Sequence, residues 1–203
     1  MSDKDDYRDI KRILAESLLA DGVLELDDLK NEETIESKLK SYIKGRTVYT
    51  VYDHTETLLD KANEFRKAGD LDLAIVLYST YFEHELNRII EHVLCIDKVS
   101  KKSRVQLIRS ININGKCSWL LEVLGLPSFN KKHSKSISDL SSERNSFIHY
   151  KWSHSIDLSG EEEKLELLDS AKSTSTYMKK YSSRVLYKGK KGKVKKALTK
   201  RTS

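Results

Sequence analysis

The sequence predicts an all-α protein: a helical bundle that carries an N-terminal helical arm and a basic C-terminal tail. Apolar residues recur at intervals of three and four along most of its 203 residues, which is the spacing of one face of an amphipathic helix. One proline and eight glycines are too few for a loop-rich β-sandwich, a collagen-like chain or a proline-rich linker. Glycines also separate the periodic stretches, as expected at helix ends, at Gly22, Gly45, Gly69, Gly115, Gly125 and Gly160.

Residues 1–53 are predicted to form the acidic helical arm. Leucines and isoleucines recur at helical spacing before residue 22, and the aspartates that precede them favour the positive end of a helix dipole. A second short helix is predicted over residues 34–43. The segment TVYTVY, residues 47–52, is β-branched and aromatic, so it fits either a short strand or the start of a helix.

Residues 54–187 are predicted to form the bundle. Its longest helix spans residues 70–94, where a stripe repeats at alternating intervals of three and four: Val76, Ser79, Glu83, Leu86, Ile90 and Val93. Ile75, Phe82 and Ile89 flank this stripe, so the helix is predicted to be buried on a broad face. Shorter helices are predicted over residues 54–67, 103–111, 117–124 and 134–150. A last helix begins at residue 160 and continues with three glutamates, whose charge suits the positive end of its dipole.

The net charge of +6 is unevenly distributed. Residues 188–203 contain eight Lys or Arg and no acid, whereas the remaining residues carry 29 basic and 31 acidic side chains. Such a tail is either a solvated, disordered arm or a cluster of cations that attracts phosphates without sequence preference. Both interpretations stay open, and the tail distinguishes neither RNA from DNA nor a nucleic acid from an acidic protein.

The sequence carries none of the usual signals for export or membrane insertion. No apolar run is long enough to span a bilayer, and the acidic N-terminus lacks the apolar segment of a secretory signal. Cys95 and Cys117 are the two cysteines, and we expect small core residues rather than a disulfide. These features predict a soluble cytoplasmic protein that has no membrane partner.

Two charged residues interrupt apolar helix faces. Glu83 lies between Ser79 and Leu86 on the longest helix, and Arg144 lies four residues after Leu140. Burying either charge alone costs on the order of several kcal/mol, so each needs a partner or a solvated cleft. We therefore expect Glu83 to be mostly buried and to contact Arg144. That pair is either structural or part of a site; the third alternative is that a helix is rotated slightly, so that both charges reach solvent.

The octapeptide ERNSFIHY resembles the signature of the HEPN superfamily of small helical domains. That signature is an arginine, four to six residues and then a histidine, commonly with a polar residue directly after the arginine. Here the matching residues are Arg144, Asn145 and His149. Many members also carry a carboxylate on an earlier long helix, and the segment STYFE makes Glu83 the matching acid. The resemblance covers roughly residues 70–187 and leaves the arm and the tail unexplained.

The resemblance implies a metal-independent endoribonuclease that needs no cofactor, because the 2′-OH of RNA is itself the nucleophile. His149 would exchange protons near neutral pH with the 2′-OH or the 5′-leaving oxygen, and Arg144 would hold the phosphate. Asn145 would orient His149 or bond the phosphate, and Glu83 would hold Arg144. The products would carry 2′,3′-cyclic phosphate and 5′-OH ends.

Tyr150 and Lys151 follow the motif and are candidate RNA contacts, through base stacking and phosphate binding respectively. Core packing of Tyr150 and solvation of Lys151 are the alternatives. Elsewhere the sequence predicts no metal site, because the segment HELNR has Arg88 where the zinc motif HExxH needs its second histidine. It contains no phosphate-binding glycine loop either.

The spacing of the motif predicts a homodimer. Five helix positions separate Arg144 from His149 by about 140°, so one helix cannot present both on one face. Members of the family pack two copies of this helix against each other and build a composite cleft, which would resolve the mismatch. The family further implies a toxin or phage-defence effector, with an antitoxin or regulatory protein as a further partner. The alternative is a non-catalytic HEPN-like binding or dimerisation subunit in which Arg144 and His149 are structural.

Overall fold

The computed structural model describes Ala15, Leu18, Leu19 and residues 22–44, 54–148 and 159–186. Every regular element in these residues is helical and no strand occurs among them, which confirms the predicted all-α class. Three features of the sequence lie outside the described residues: the TVYTVY segment, His149 with Tyr150 and Lys151, and the basic tail. None of the described helices is both long and apolar enough to cross a lipid bilayer.

The chain divides into two compact units. One comprises Met1–Val51 together with Tyr181–Ser203, and the other comprises Tyr52–Lys180. The three-part division predicted from the sequence, with boundaries after residues 53 and 187, stays a prediction. The candidate site is built within the second unit.

The first unit has a small apolar core. A 3₁₀ turn at Asp28–Lys30 precedes helix α1, Glu32–Ile43, whose N-terminus is capped by Asn31. The Asn31 side chain accepts a hydrogen bond from the Glu33 amide at 2.9 Å, so α1 begins two residues before its predicted start. The buried residues are Ala15, Leu18, Leu19, Leu24 and Leu29, and the partly buried Ile35, Leu39 and Tyr42 pack against them.

The second unit begins with a helical hairpin. Helix α2 is Thr55–Ala68 and helix α3 is Leu71–Ile96. Gly69 ends α2 in the left-handed conformation, with φ at +83°, a geometry that residues with a Cβ rarely adopt. The Asp70 side chain then accepts a hydrogen bond from the Leu73 amide at 3.2 Å and caps α3. Two residues thus reverse the chain, and α2 packs against α3.

The helices that follow among the described residues are α4, Lys101–Ser110; α5, Ile113–Lys116; α6, Trp119–Val123; α7, Lys131–Ile148; and α8, Ser159–Leu186. Helix α3 contacts α4, α5 and α7 as well as α2. Lys164 of α8 lies 2.6 Å from a carboxylate oxygen of Asp72 on α3, which ties these two helices together. Helix α3 is therefore the element against which the rest of the unit is arranged.

The buried face of α3 contains most of the predicted face, with its centre nearer the predicted flank than the stripe. Among the predicted residues, the buried ones are Ser79, Leu86 and Ile90 of the stripe and the flanking Ile75, Phe82 and Ile89. Val76 and Val93, at the ends of the stripe, are only partly buried. Buried Tyr78 and Tyr81 extend the face on the side away from Glu83. Glu83 therefore lies at the margin of the buried face, where it borders solvent.

The two cysteines are free thiols in different environments. Cys117 is buried, whereas Cys95 is exposed, so the prediction of a core position is wrong for Cys95. The reason is its place on α3, where the preceding Leu94 occupies the buried face and Cys95 follows it round toward solvent. Burial raises the pKa of the Cys117 thiol to about 12, which keeps it protonated and unreactive at neutral pH.

Candidate functional site

A polar cleft of about 620 Å³ brings together α3, α5 and α7. Glu83 enters it from α3, Lys116 from α5, and Arg144 and Asn145 from α7. Most of the remaining lining consists of amides and hydroxyls, namely Asn87, Asn112, Asn114, Ser110, Ser138, Ser141 and Ser142. Ile108, Ile111 and Ile113 also line the cleft, but its lining is mostly polar, which suits a polar or charged ligand.

The packing of α3 against α7 directs Glu83 and Arg144 toward each other. Phe82, which precedes Glu83, is fully buried, and so is Leu140, one helical turn before Arg144. These two anchors fix the rotation of both helices, because the apolar side chains have a single low-energy place in the core. The neighbouring charged residues are thereby held at the edge of the core and face the cleft.

Arg144 donates a hydrogen bond from Nη1 to Oε2 of Glu83 at 3.0 Å. Its Nη2 donates to Oδ1 of Asn145 at 3.3 Å. The predicted contact between Glu83 and Arg144 is confirmed, but Glu83 is half-buried rather than mostly buried, with 37% of its side chain exposed. Arg144 is more enclosed, at 21%, and its Nε is buried without a hydrogen-bond partner among the described residues. One acid and one amide thus hold the two ends of the guanidinium fork.

Lys116 is a site residue that the sequence did not indicate. Its side chain is 3% exposed, and its ammonium Nζ lies 3.7 Å from Oε1 of Glu83. A four-residue helix shows no periodicity, so no pattern marked this lysine as buried. Directly before it, the chain is closely packed at Gly115, where a Cβ would lie 2.7 Å from Cγ2 of Ile111 and 3.0 Å from Nε1 of Trp119. Glycine therefore permits an approach that a larger residue would block.

Burial and the neighbouring charges shift the pKa of each partner of this ion pair in opposite directions. Burial raises the pKa of the Glu83 carboxyl, but the Arg144 hydrogen bond and the Lys116 charge outweigh it, so the pKa lies below its ordinary value. Burial lowers the pKa of the Lys116 ammonium, and the nearby Glu83 carboxylate only partly offsets this. Glu83 is therefore ionised at neutral pH, whereas Lys116 gives up its proton more readily than an exposed lysine does.

The lining of the cleft carries more positive than negative charge. Arg109, Lys116 and Arg144 are its basic residues among those the structure describes, and Glu83 is its acid. Arg109 is exposed and forms no ion pair with another described residue. A surplus of cations beside hydroxyl and amide donors is the composition that proteins use to bind phosphate and other oxyanions.

A second carboxylate on α3, Glu85, is more deeply buried than Glu83 but is already neutralised. Nη2 of Arg88 lies 2.9 and 2.7 Å from its two oxygens. Glu85 is two positions after Glu83, about 200° round the helix, and does not line the cleft. The Glu85–Arg88 pair therefore has a structural explanation, which leaves Glu83 as the acid of the site.

Three of the predicted site residues, Glu83, Arg144 and Asn145, are brought together in one cleft. His149, Tyr150 and Lys151 lie outside the described residues. The fold and the site thus define an all-α protein with a polar, positively charged cleft that contains an acid–arginine–amide cluster. Comparisons with protein-family models, with curated proteins and with solved structures find no match to this chain.

Proposed function

We propose that the protein is a metal-independent endoribonuclease of the HEPN type. The observation that carries this proposal is the guanidinium of Arg144, held by Glu83 at 3.0 Å in a cleft whose lining is positively charged. Arginine binds phosphate through paired N–H donors, and it stays protonated throughout the physiological range. A fixed guanidinium in such a cleft is suited to a phosphodiester on which negative charge develops during cleavage.

In the proposed reaction, the 2′-oxygen of RNA attacks the adjacent phosphorus, and the bond from phosphorus to the 5′-oxygen breaks. The 2′-OH loses its proton and the leaving 5′-oxygen gains one, so the products carry 2′,3′-cyclic phosphate and 5′-OH ends. His149 transfers protons at one or both of these oxygens, a role that rests on the resemblance. Arg144 stabilises the charge on the phosphate, Glu83 positions Arg144, and Asn145 orients His149 or bonds the phosphate.

The proposal includes a homodimer. Arg144 and His149 are about 140° apart on an ideal helix, so a second copy is needed to bring the two side chains to one phosphate. Ile148, directly before His149, is 50% exposed, and an exposed isoleucine beside the motif is suited to a helix–helix seam. In this arrangement the arginine of one copy and the histidine of its partner act on the same substrate.

The remaining parts of the proposal rest on the resemblance. They are a cytoplasmic toxin or phage-defence effector, RNA as the substrate, and an antitoxin or regulatory protein as partner. Tyr150 and Lys151 are proposed to contact the RNA, by stacking on a base and by binding a phosphate respectively.

The test is an RNA-cleavage assay in EDTA with analysis of the product ends. Cyclic-phosphate and 5′-OH ends are expected, and His149→Ala should abolish the activity. His84→Ala is the matched control, because His84 is exposed on α3 directly beside Glu83 and has no proposed role. Arg144→Lys retains the charge but not the paired donors, so it should lower the rate while leaving the fold intact. Loss of activity in EDTA with recovery on adding metal would overturn the mechanism.

The second candidate function is a non-catalytic HEPN-like binding or dimerisation subunit. Arg144 favours it in one respect, since Glu83 and Asn145 already occupy both ends of its guanidinium. An arginine used only to join two helices would have this geometry too. Expression in a bacterial host discriminates between the two candidates. The enzyme should arrest growth, and His149→Ala should relieve that arrest. The non-catalytic subunit should not arrest growth.

A further inference from the structure

Lys116 is a buried lysine whose place in the cleft the proposed reaction does not explain. We infer that it is a phosphate-binding residue, and that its ammonium donates to a non-bridging oxygen of a phosphodiester held in the cleft beside Arg144. The identity of the ligand as an RNA phosphodiester rests on the proposed function. The existence of the anion site rests on the cleft itself.

The hydrogen bonding of Lys116 is incomplete. An ammonium carries three N–H donors, and buried polar groups are almost always hydrogen-bonded. The nearest oppositely charged atom, Oε1 of Glu83, is 3.7 Å away, which exceeds hydrogen-bond distance. Apart from this long contact with Glu83, no described residue offers the Lys116 ammonium a side-chain acceptor within 3.5 Å. A side chain that is 3% exposed and lines the cleft therefore has donors left for a ligand.

The shared carboxylate of Glu83 explains why two cations are needed. Arg144 binds Oε2 and Lys116 faces Oε1, so the same acid separates the two basic groups. A phosphate bound by Arg144 alone would lie close to the negative charge of Glu83, and that repulsion would weaken binding. With Lys116 on the other oxygen, the cleft keeps a positive surplus while Glu83 still positions Arg144.

The rest of the lining favours a phosphodiester over a bulky apolar anion. Ser138, Ser141 and Ser142 lie on α7, as Arg144 does, while Asn112 caps α5 and Asn114 lies within it. These short side chains donate hydrogen bonds to the several oxygens of a phosphate. A cleft of about 620 Å³ also has room for more than one nucleotide unit.

The experiment is an NMR titration of the full chain with a 2′-O-methyl RNA trinucleotide. This probe contains two phosphodiesters and cannot be cleaved, because its 2′-oxygens are blocked. Amide and ammonium signals of Lys116 should shift on binding, and any binding to the basic tail shows separately in the tail's own lysine signals. A parallel titration with inorganic phosphate distinguishes recognition of a diester in RNA from recognition of a free phosphate.

The variant is Lys116→Met, which keeps the length of the side chain and removes the charge. We expect it to weaken trinucleotide binding at the cleft by roughly 10- to 100-fold, the usual effect of losing a hydrogen bond to a charged group. Lys102→Met is the matched control, because Lys102 is exposed on α4 and lines no part of the cleft, and it should change affinity less than about twofold. Lys116→Arg keeps the charge and should retain part of the affinity.

The melting temperature separates a binding role from a structural one. Lys116→Met leaves the Glu83–Arg144 hydrogen bond in place, and it removes a buried charge, so the melting temperature should stay the same or rise. A lower melting temperature with unchanged trinucleotide binding would assign Lys116 to the fold and overturn the inference. If the methionine variant fails to fold, the shift of the Lys116 signals in the unsubstituted chain still decides, and its absence overturns the inference.

Failure of this inference is distinguishable from failure of the proposed function. If the trinucleotide binds in a way that depends on Lys116 but RNA is not cleaved, the proposed anion site is retained and the proposed enzyme activity is rejected. If the chain cleaves RNA and Lys116→Met changes neither trinucleotide binding nor kcat/KM, the proposed enzyme is retained and the phosphate-binding role of Lys116 is rejected. Inorganic phosphate that binds as tightly as the trinucleotide would overturn the assignment of an RNA ligand.

Discussion

Replacing Glu83 with Gln isolates the negative charge at the centre of the site. Glutamine keeps the shape, and its carbonyl oxygen can still accept the hydrogen bond that Arg144 donates at 3.0 Å. The charge is removed for two cations at once, since Nζ of Lys116 lies 3.7 Å from the other oxygen. The variant therefore measures charge compensation rather than packing.

The expected loss of unfolding free energy for Glu83→Gln is about 1–2 kcal/mol. Unit charges about 4 Å apart attract by about 1 kcal/mol in water and by about 4 kcal/mol at the effective dielectric near a protein surface. The exposed fractions, 37% for Glu83 and 21% for Arg144, place this pair between those limits. Part of the attraction only offsets the free-energy cost of dehydrating the two ions, so the net stabilisation is smaller. A domain of this size should lose about 2–8 °C in melting temperature.

Thermal and urea unfolding of Glu83→Gln and of Glu91→Gln measure this difference. Glu91 is the matched control, because it lies on the same helix with 52% of its side chain exposed and 3.9 Å from Nε of Arg104. It should lose less than about 0.5 kcal/mol, as exposed pairs usually do. A Glu83→Gln loss equal to the control would show that the pair is fully screened, and a loss above about 4 kcal/mol would mean that it is fully buried. Either result would contradict the half-buried geometry.

The pH dependence of the same variant has a definite sign. Burial raises the pKa of Glu83, but the Arg144 hydrogen bond and the Lys116 charge lower it by more, so the folded value lies below the ordinary 4.5. A carboxyl with a depressed pKa stabilises the fold above its unfolded pKa, and this stabilisation is lost as pH falls through the folded pKa. The stability gap between Glu83→Gln and the unsubstituted chain should therefore close below about pH 4.5. A gap that widened on acidification would refute the assignment of an ionised Glu83.

Four further outcomes are expected. His149→Ala should lower the RNA-cleavage rate about 10²–10⁴-fold in a quenched-flow or gel assay, and an unchanged rate would make His149 structural. Deleting residues 188–203 should weaken RNA binding and flatten its salt dependence without altering the product ends, and equal salt slopes with and without the tail would contradict this. Gly115→Ala should destabilise the fold by about 1–2 kcal/mol, because a Cβ there meets Ile111 and Trp119, whereas Gly160→Ala has open space and should be neutral or stabilising. His133 has its pKa lowered by burial, so its contribution should be complete above pH 6.5 and be lost as pH falls through its folded pKa, a dependence that thermal unfolding of His133→Gln should no longer show.

The contact between Glu83 and Arg144 could be predicted from the sequence because both residues interrupt the periodicity of long helices. Helix α3 has 26 residues and α7 has 18, so each apolar face repeats over several turns and a charge within it is conspicuous. The exact centre of the buried face of α3 could not be predicted. It depends on how much apolar area each row of side chains buries against the neighbouring helices.

Lys116 could not be predicted because no local property of the sequence places it inside. Its helix is a single turn, and a lysine is expected at the surface on composition alone. The short helix that carries it is held by the close packing of Gly115 against Ile111 and Trp119 and by the hydrogen bond that Asn112 accepts from the Gly115 amide at 2.9 Å. These are contacts between the ends of short elements, for which hydrophobic periodicity gives no signal.

If the cleft binds phosphate as proposed, an acid within it is at first sight unfavourable, because its charge would repel the ligand. The arrangement around Glu83 answers this objection, since Arg144 bonds one of its oxygens and Lys116 lies 3.7 Å from the other. Under the proposal, the carboxylate acts on the arginine rather than on the phosphate: it fixes the guanidinium before a substrate binds, so little binding energy is lost in ordering a flexible side chain. The charge of the buried lysine offsets that of the acid, and for this reason we treat the acid and the lysine as one unit of the proposed site.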